Sequence, residues 1–263
     1  MATDQREIDE RIQTYYGEVF DEEARLTSRS AQGPLEFART QEIVRRHVPE
    51  GSILDIGGGA GVHARALVDG GYDVTLIDPV SRHVAQARAA GVRASVADAR
   101  DLPFEDAVFD AALMLGPLYH LASSADRQAA LREAHRVVHP GGHVFAAGLS
   151  RYIAFGKVSL ARAMPEELPG EWAALITGGA PVSGMRFPAG HYHTAEELHA
   201  ELEEAGFSEV SVVGLEGPAG LYLETVAEAD AELSDAALEL ARAAEAVPGI
   251  RDFSAHLIGI GRA

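Results

Sequence analysis

The chain has 263 residues, with 22 basic and 40 acidic side chains and a formal net charge of −18. Its hydrophobic share of 47% and charged share of 24% are those of a globular protein with a sizeable buried core. The absence of cysteine excludes disulfides, thiolate metal sites and a cysteine nucleophile. The start is polar, and no apolar run approaches the roughly 18 residues of a membrane span. We therefore expect a soluble, cytoplasmic protein.

The charge balance also bears on the partners of the protein. A strongly acidic chain repels phosphate backbones, and affinity for nucleic acid depends largely on neutralising phosphates. The basic residues are scattered along the sequence instead of forming one patch. We therefore expect a small-molecule partner instead of nucleic acid or a membrane, and a monomer or homodimer.

From about residue 50, short strand-like runs alternate with helical stretches. The predicted strands are 52–56, 73–78, 93–98, 108–115, 143–147, 209–214 and 253–260. The predicted helices are 62–69, 79–90, 125–138, 195–205 and 231–246. A capping box at Thr194 and Glu197 marks the start of the fourth helix. This alternation predicts an α/β protein with a parallel sheet and helices on both faces.

Two segments do not follow the alternation. Residues 1–48 are charged and helical, which predicts an N-terminal helical cap. Residues 151–190 lie between the fifth strand and the next helix and hold four of the 12 prolines. Insertions after a strand lie at the edge where open α/β sheets bind ligands, so we expect this one to be a lid. No linker divides the sequence, and we predict a single domain over 1–263.

A glycine cluster stands at the junction of the first strand and its following helix. It consists of Asp55, Gly57, Gly58, Gly59 and Gly61. Glycines there let the backbone approach a ligand closely, and the helix N-terminus offers free N–H groups to an anion. The run from Gly59 to Ala64 also matches a dinucleotide fingerprint, with Asp78 at the distance of a ribose-binding acid. At this point a nicotinamide-dependent oxidoreductase and a methyltransferase both stay open.

Later motifs separate these two classes of enzyme. The sequence resembles the class I S-adenosylmethionine-dependent methyltransferases over roughly residues 35–260. The resemblance rests on five motifs in order: the glycine cluster, Asp78, Asp98–Ala99, Phe109–Asp110 and the turn at 137–142. It implies a Rossmann-like fold with a seven-stranded, mostly parallel sheet and an antiparallel last strand. It also implies S-adenosylmethionine as cofactor and S-adenosylhomocysteine as product. An NAD(P)-dependent oxidoreductase explains the glycines and Asp78 but not Asp98 or the later turn.

The resemblance implies contacts to both halves of the cofactor. For the methionine half, the turn at Gly57, Gly58 and Gly59 would face the carboxylate, and the Leu115 carbonyl would accept from the ammonium group. Asp55 lies beside that turn and would either join the site or tie the turn down.

Four residues would contact the adenosine half. Asp78 offers two oxygens to the paired ribose hydroxyls. Pro79 would press on the adenine, and Asp98, with Ala99 beside it, would accept from the exocyclic amine.

The N-terminal cap contributes two further candidates. Tyr16 lies in a segment that would fold over the cofactor, as N-terminal helices do in relatives. Arg39 would face the cofactor carboxylate, and its alternative is an ion pair with Glu36 or Glu42.

The stretch after the fourth strand is the candidate catalytic segment. Gly116 and Pro117 force an irregular turn that would expose Tyr119 and His120 to the pocket. A similar stretch occurs in a subset of the family that acts largely on small molecules. Tyr119 is a candidate substrate contact, and His120, which titrates near neutral pH, is the candidate general base. The alternative for His120 is a hydrogen bond to the loop backbone.

His191 and His193 end the insertion and would line a substrate pocket or support a loop. A metal would need converging ligands, and we assign none. The expected function is transfer of a methyl group to an oxygen or nitrogen of a small molecule. The alternatives are a methyltransferase acting on RNA or protein and an NAD(P)-dependent oxidoreductase.

Overall fold

A computed structural model describes residues 5–19, 22–154, 170–182 and 187–263. Seven strands form one sheet: β1 Ser52–Ile56, β2 Asp73–Asp78, β3 Arg93–Val96, β4 Phe109–Met114, β5 Val138–Leu149, β6 Ser208–Gly214 and β7 His256–Arg262. Their order is β3-β2-β1-β4-β5-β7-β6. Strands β1 to β5 pair in parallel, and β7 is antiparallel to both of its neighbours. The Rossmann-like sheet and its antiparallel last strand are thus confirmed.

The helices cover both faces of this sheet. They are α1 Gln5–Thr14, α2 Glu22–Thr27, α3 Gln32–His47, α4 Val62–Asp69, α5 Ser81–Ala89, α6 Ser124–Val137, α7 Gly170–Gly178, α8 Ala195–Glu204, α9 Gly220–Leu223 and α10 Ala231–Ala244. One core cluster packs α6 and α8 on the sheet, and the other packs α3, α4 and α5 on the opposite face. The capping box at the start of α8 is present, with Thr194 accepting from the backbone of Glu197. None of the helices in these ranges has the length and hydropathy needed to cross a bilayer.

Strand β5 is longer than the predicted 143–147. Val138 pairs with Phe109 as soon as α6 ends, so the pairing begins before the Pro140–Gly142 turn. The register then shifts, and Ala111 pairs with His143. Gly141 has a φ of 83°, which glycine adopts without strain and which lets the turn stand out as a bulge.

The direction of β7 determines which residues meet at the ligand-binding edge of the sheet. Because β7 runs antiparallel to β5, its first residue, His256, pairs with Leu149 at the end of β5. The end of β6 lies there too, since Gly214 pairs with Leu257. The carboxyl ends of the parallel strands and the start of β7 therefore share one edge.

The two irregular segments differ in how much of them is described. The N-terminal segment contains α1, a π-helical turn over Tyr15–Val19, α2 and α3, as the helical cap predicts. Of the predicted lid at 151–190, the described residues include 151–154, 170–182 and 187–190, which are about half of the segment.

Candidate active site

A cavity of about 300 Å³ opens at the shared edge of the sheet. Most of the residues predicted for a ligand site line it, namely Tyr16, Asp55, Gly57, Gly58, Gly59, Asp78, Pro79, Asp98, Ala99, Leu115, Tyr119 and His120. The cavity extends across the strands, so its two ends can be named by the strands beneath them. The end near Asp78 and Asp98, which we call the β2 end, lies over β2 and β3. The opposite β7 end lies over β5, β7 and β6.

The glycine turn leaves the backbone open to the cavity. Gly57 and Gly59 have φ angles of 69° and 59°, a region that disfavours side chains. A Cβ at Gly58 would lie only 2.4 Å from Oδ2 of Asp55. Any side chain at Gly58 would therefore displace the carboxylate or the turn.

Asp55 is buried beside this turn, and its Oδ2 has no hydrogen-bond partner among the described residues. Burial, with the nearby charge of Asp78, raises the pKa of Asp55 to about 7. Nothing in the described contacts ties the turn to this carboxylate. This oxygen is itself fully buried and lies against Gly58, so Asp55 packs under the glycine turn without a hydrogen bond at Oδ2.

Asp78 is the last residue of β2, and its carboxylate connects this strand to the glycine turn and to the start of α5. Its Oδ2 accepts from the backbone N–H of Gly59 at 2.9 Å, and its Oδ1 accepts from that of Val80 at 2.8 Å. His83 lies 3.2 Å from the same Oδ1. The carboxylate is thereby fixed between the glycine turn and the start of α5, as a ribose-binding acid requires.

Helix α1 roofs the β2 end. Gln13 donates to the carbonyl oxygen of Pro79 at 3.0 Å, and Gln5 donates to that of His120 at 3.1 Å. Gln5 also accepts from the backbone N–H of Ala122 at 2.9 Å. The N-terminal segment thus lies over the cavity, as expected from the position of Tyr16.

Arg100, which the sequence analysis missed, lies between this roof and the strand below it. It contacts Asp98 at 2.6 Å and Asp9 of α1 at 3.3 Å. Burial raises the pKa of Asp98, but the hydrogen bonds from Arg100 outweigh this effect and lower it. Asp98 therefore stays ionised where it lines the cavity, and its contact with the adenine stays a prediction.

His120 has a partner at each ring nitrogen. Nδ1 lies 2.8 Å from the carbonyl oxygen of Pro188, which can only accept, so Nδ1 carries the proton. Nε2 lies 3.0 Å from the hydroxyl of Tyr16 and accepts from it when the ring is neutral. Burial lowers the pKa of His120 to about 4. Its role as general base stays a prediction, and the structure gives it a second role in orienting Tyr16.

The structure corrects the expectation that Arg39 faces the cofactor. Glu36 and Thr40 are one helical turn apart and line the cavity, whereas Arg39 lies about 100° round the helix. Its guanidinium is fully buried against Glu42 at 3.0 Å and Glu245 at 2.5 Å. Of its two predicted roles, the ion pair with Glu42 is the one observed.

His191 and His193 also lie outside the cavity lining. Their rings are 4.5 Å apart, and Nε2 of His193 lies 3.2 Å from Oε2 of Glu201. Ligand atoms of these three residues come within 4.8 Å of one another, but Arg127 already pairs with Glu201 at 2.7 Å. A cation would have to compete with that guanidinium. The predicted substrate wall is therefore an ion-pair network under the described part of the insertion.

The β7 end consists of residues that the sequence analysis did not single out as site residues, namely Arg25, Glu36, His63 and His256. Arg25 donates to both carboxylate oxygens of Glu36, at 2.6 and 2.8 Å. Although burial raises the pKa of Glu36, Arg25 and His256 lower it to about 2. These residues come from segments far apart in the chain and form no local motif, so no sequence signal marks them.

Comparison with known proteins agrees with this geometry. A family model described as a methyltransferase domain matches residues 54–146. The ubiquinone/menaquinone biosynthesis C-methyltransferase of Acidiphilium cryptum is 31% identical over 185 residues, which are 64% of this chain and 71% of that protein. The chain belongs to the class I S-adenosylmethionine-dependent methyltransferases.

Two further proteins match over a shorter stretch or at lower sequence identity. The human protein named "Probable tRNA methyltransferase 9B" is 32% identical to this methyltransferase over 108 residues, which are 41% of this chain and 23% of that protein. The crystal structure of an S-adenosylmethionine-dependent methyltransferase from Thermotoga maritima has a TM-score of 0.63 at 20% identity. That likeness covers 97% of this chain and 99% of the other, and it supports the fold.

The cavity fits the cofactor of this methyltransferase family. S-adenosylmethionine supplies a methyl group on a positive sulfur, so the protein has mainly to bind, orient and exclude water. The open glycine backbone suits a carboxylate, and Leu115, which also lines the cavity, has a backbone carbonyl that can accept from an ammonium group. At the β2 end, Asp78 and Asp98 line the cavity with carboxylate oxygens, which can accept hydrogen bonds from hydroxyl and amine groups.

Replacing Asp55 with asparagine is expected to stabilise the ligand-free methyltransferase and weaken its cofactor binding. The pKa of Asp55 is about 7 in the folded protein and ordinarily 3.8. The folded state therefore holds a proton that the unfolded chain has lost, and stability falls as the pH rises from about 3.8 to 7. Asp55→Asn removes this loss and is expected to raise the free energy of unfolding at pH 8 by about 2–4 kcal/mol.

Urea denaturation at pH 8 measures the stability, and calorimetry with S-adenosylhomocysteine measures the binding. Asp69→Asn, at a half-exposed position on α4, is the matched control and should change neither quantity. A variant at Asp55 that is less stable than the wild type at pH 8 would contradict the prediction.

Proposed function

We propose that this methyltransferase acts on an oxygen or nitrogen of a small-molecule acceptor. The observation that carries this proposal is the roofed cavity. Helix α1 lies across the β2 end and is hydrogen-bonded to the loops on either side, at Pro79 and His120. A pocket of this size, covered from above, suits a small ligand better than a base within a folded RNA or a side chain within a folded protein.

The proposal assigns the β2 end and the glycine turn to the cofactor. Gly57, Gly58 and Gly59 hold the methionine carboxylate, while Asp55 and the carbonyl of Leu115 accept from the ammonium group. With these contacts made, the β7 end of the cavity would stay free for the acceptor.

The adenosine half lies under the roof. Asp78 binds the ribose hydroxyls, and Pro79, Asp98 and Ala99 contact the adenine. Tyr16, held by His120, closes the cavity over the ribose and excludes water from it. Tyr119 faces the acceptor from the loop after β4.

The matched relatives bear on the type of acceptor. The Acidiphilium cryptum protein is named for methylation at carbon in quinone biosynthesis, and this supports a small, ring-containing acceptor. Carbon is therefore a third acceptor atom, which the test below has to distinguish from oxygen and nitrogen.

RNA is the second candidate, because the human relative is named as a tRNA methyltransferase. That match covers less than a quarter of the human protein. The net charge of −18 also opposes binding to a phosphate backbone.

Transfer of a labelled methyl group tests the proposal. The purified protein is incubated with methyl-labelled S-adenosylmethionine and, separately, with a metabolite extract, with total tRNA and with denatured protein. Label in the low-molecular-weight fraction alone is the expected result, and mass spectrometry of the product identifies the acceptor atom. Label that enters tRNA or protein but not small molecules would overturn the proposal.

A further inference from the structure

His256 is placed at the β7 end by the topology of the sheet. It is the first residue of an antiparallel strand, so its side chain lies beside the carboxyl ends of β5 and β6. It lines the cavity together with Arg25 and Glu36. This end of the cavity is the one that the cofactor contacts proposed above leave free.

Glu216 fixes the orientation and the tautomer of His256. It follows β6 and is fully buried. Its Oε1 accepts from Nδ1 of His256 at 2.5 Å, and its Oε2 accepts from the backbone N–H of the same residue at 3.1 Å. A carboxylate can only accept, so Nδ1 carries a proton and the neutral ring has its lone pair on Nε2.

Nε2 of His256 is open to the cavity. No hydrogen bond to it occurs among the described residues, and it is not one of their fully buried polar atoms without a partner. His120 differs on the first point, because its Nδ1 and Nε2 bond to Pro188 and Tyr16. Of these two histidines, His256 is thus the one with an available lone pair.

The charges around His256 favour its protonated form. Glu216 and Glu36 of α3 both approach Nδ1, with oxygens 2.5 Å and 3.6 Å away. Among the described residues, Arg25 of α2 and His63 of α4 are the other titratable and charged groups on this side of the cavity, and Arg25 lowers the pKa of His256. Burial lowers the pKa of His256, but the two carboxylates outweigh burial and raise it above 6.5.

The geometry points to His256 as the general base for an acceptor hydroxyl, with Glu216 as the positioning residue behind it. This inference rests on the proposed small-molecule function and names its substrate class as a phenol or other acidic hydroxyl. The acceptor oxygen forms its new bond to the methyl carbon, and the carbon–sulfur bond breaks with its electron pair on sulfur. The hydroxyl proton passes to Nε2, giving an imidazolium that Glu216 and Glu36 stabilise. The products are a methyl ether and S-adenosylhomocysteine.

Nuclear magnetic resonance of histidine-labelled protein tests the dyad without any acceptor. Long-range proton–nitrogen spectra report the tautomer and the pKa, and His256→Gln assigns the signal. The expected result is a neutral ring with its proton on Nδ1 and a pKa above 6.5. Glu216→Gln should lower that pKa, because it removes one carboxylate that stabilises the imidazolium. A proton on Nε2 in the neutral ring, or a pKa that does not respond to Glu216→Gln, would overturn the inference.

Kinetics with catechol and methylhydroquinone as hydroxyl probes, and phenethylamine as an amine probe, test the base role. His256→Gln should lower kcat by at least about 100-fold on the hydroxyl probes with little change in KM, as loss of a general base does. In the wild type, kcat/KM should fall as the pH drops below the pKa of His256. Glu216→Gln should lower kcat less than His256→Gln does. The pH at which kcat/KM begins to fall should also shift to a lower value. His199 and Glu203 form an exposed pair on α8. The variants His199→Gln and Glu203→Gln, each of which removes one member of this pair, are the matched controls.

Four results would overturn the base role while leaving the small-molecule function standing. The first is a His256→Gln variant that keeps kcat within threefold on a small acceptor. The second is a pH profile in which the fall of kcat/KM at low pH disappears in His120→Gln but not in His256→Gln. The third is turnover of the amine probe alone. The fourth is inactivation by EDTA that a divalent cation reverses. Circular dichroism and binding of S-adenosylhomocysteine confirm that each variant is folded.

Discussion

Replacing Asp78 with alanine is expected to weaken binding of S-adenosylhomocysteine at least tenfold. Asp78 is buried, and its carboxylate is fixed by the N–H groups of Gly59 and Val80. Each charge-assisted hydrogen bond to a ribose hydroxyl contributes about 1.5–3 kcal/mol. A tenfold change corresponds to about 1.4 kcal/mol, so loss of one such bond already produces it. Isothermal titration calorimetry measures the affinity directly.

The control for Asp78 lies on the same strand. Asp73 begins β2, is exposed, and pairs only with Arg93 at the surface, so Asp73→Ala should leave the affinity unchanged. Asp78→Asn keeps the size of the side chain and removes its charge. Its amide would also place a donor beside the N–H of Gly59. It should bind no better than the alanine variant. An Asp78→Ala protein that is folded by circular dichroism and binds with wild-type affinity would remove this residue from the cofactor site.

Arg127→Met is expected to lower the free energy of unfolding by about 3–5 kcal/mol. Arg127 and Glu201 are both buried, with nitrogen–oxygen distances of 2.7–3.1 Å. Arg127 also donates to the carbonyl oxygens of Leu121 and Ala122, each at 3.0 Å. Although burial raises the pKa of Glu201, His193 and Arg127 lower it to about 2. Removing the guanidinium therefore leaves a buried carboxylate that has lost its main counter-charge.

Urea denaturation with an unchanged m-value is the measurement for Arg127. Arg65→Met, which breaks an exposed pair with Asp69 on α4, should cost less than about 1 kcal/mol. The double variant Arg127→Met with Glu201→Leu should recover part of the loss, because it removes the uncompensated charge. Equal losses in Arg127→Met and Arg65→Met would contradict the prediction.

Most of the residues predicted to hold the cofactor lie together in the cavity, because the motifs that contain them are local. The glycine turn and Asp78 stand at the ends of short β-branched strands whose limits, 52–56 and 73–78, agree with β1 and β2. In a parallel sheet such strand ends meet at one edge, so position along the chain determines position in the site. The predicted start of the fifth strand at 143 was too late, because a bulge lets β5 begin at Val138 and continue through the glycines.

The other half could not be predicted in the same way. Arg25, Glu36 and His256 contact one another only through the tertiary packing of α2 and α3 against the start of β7. The error at Arg39 has a similar origin, since periodicity does not show which face of α3 meets the cavity and which meets Glu245. Buried ion pairs between distant segments leave no periodic pattern in the sequence.

Because β7 is antiparallel and comes last in the chain, the two ends of the cavity form at different stages of folding. The glycine turn, Asp78, Asp98 and His120 belong to one continuous stretch, most of which forms short-range strand–helix contacts. His256 lies close to the carboxyl terminus, yet its strand is inserted between β5 and β6. The β7 end must therefore wait for the longest chain closures in the molecule, which are the slow steps of folding. A chain that stops short of β7 would keep the glycine turn, Asp78 and Asp98 and still lack His256 at the β7 end.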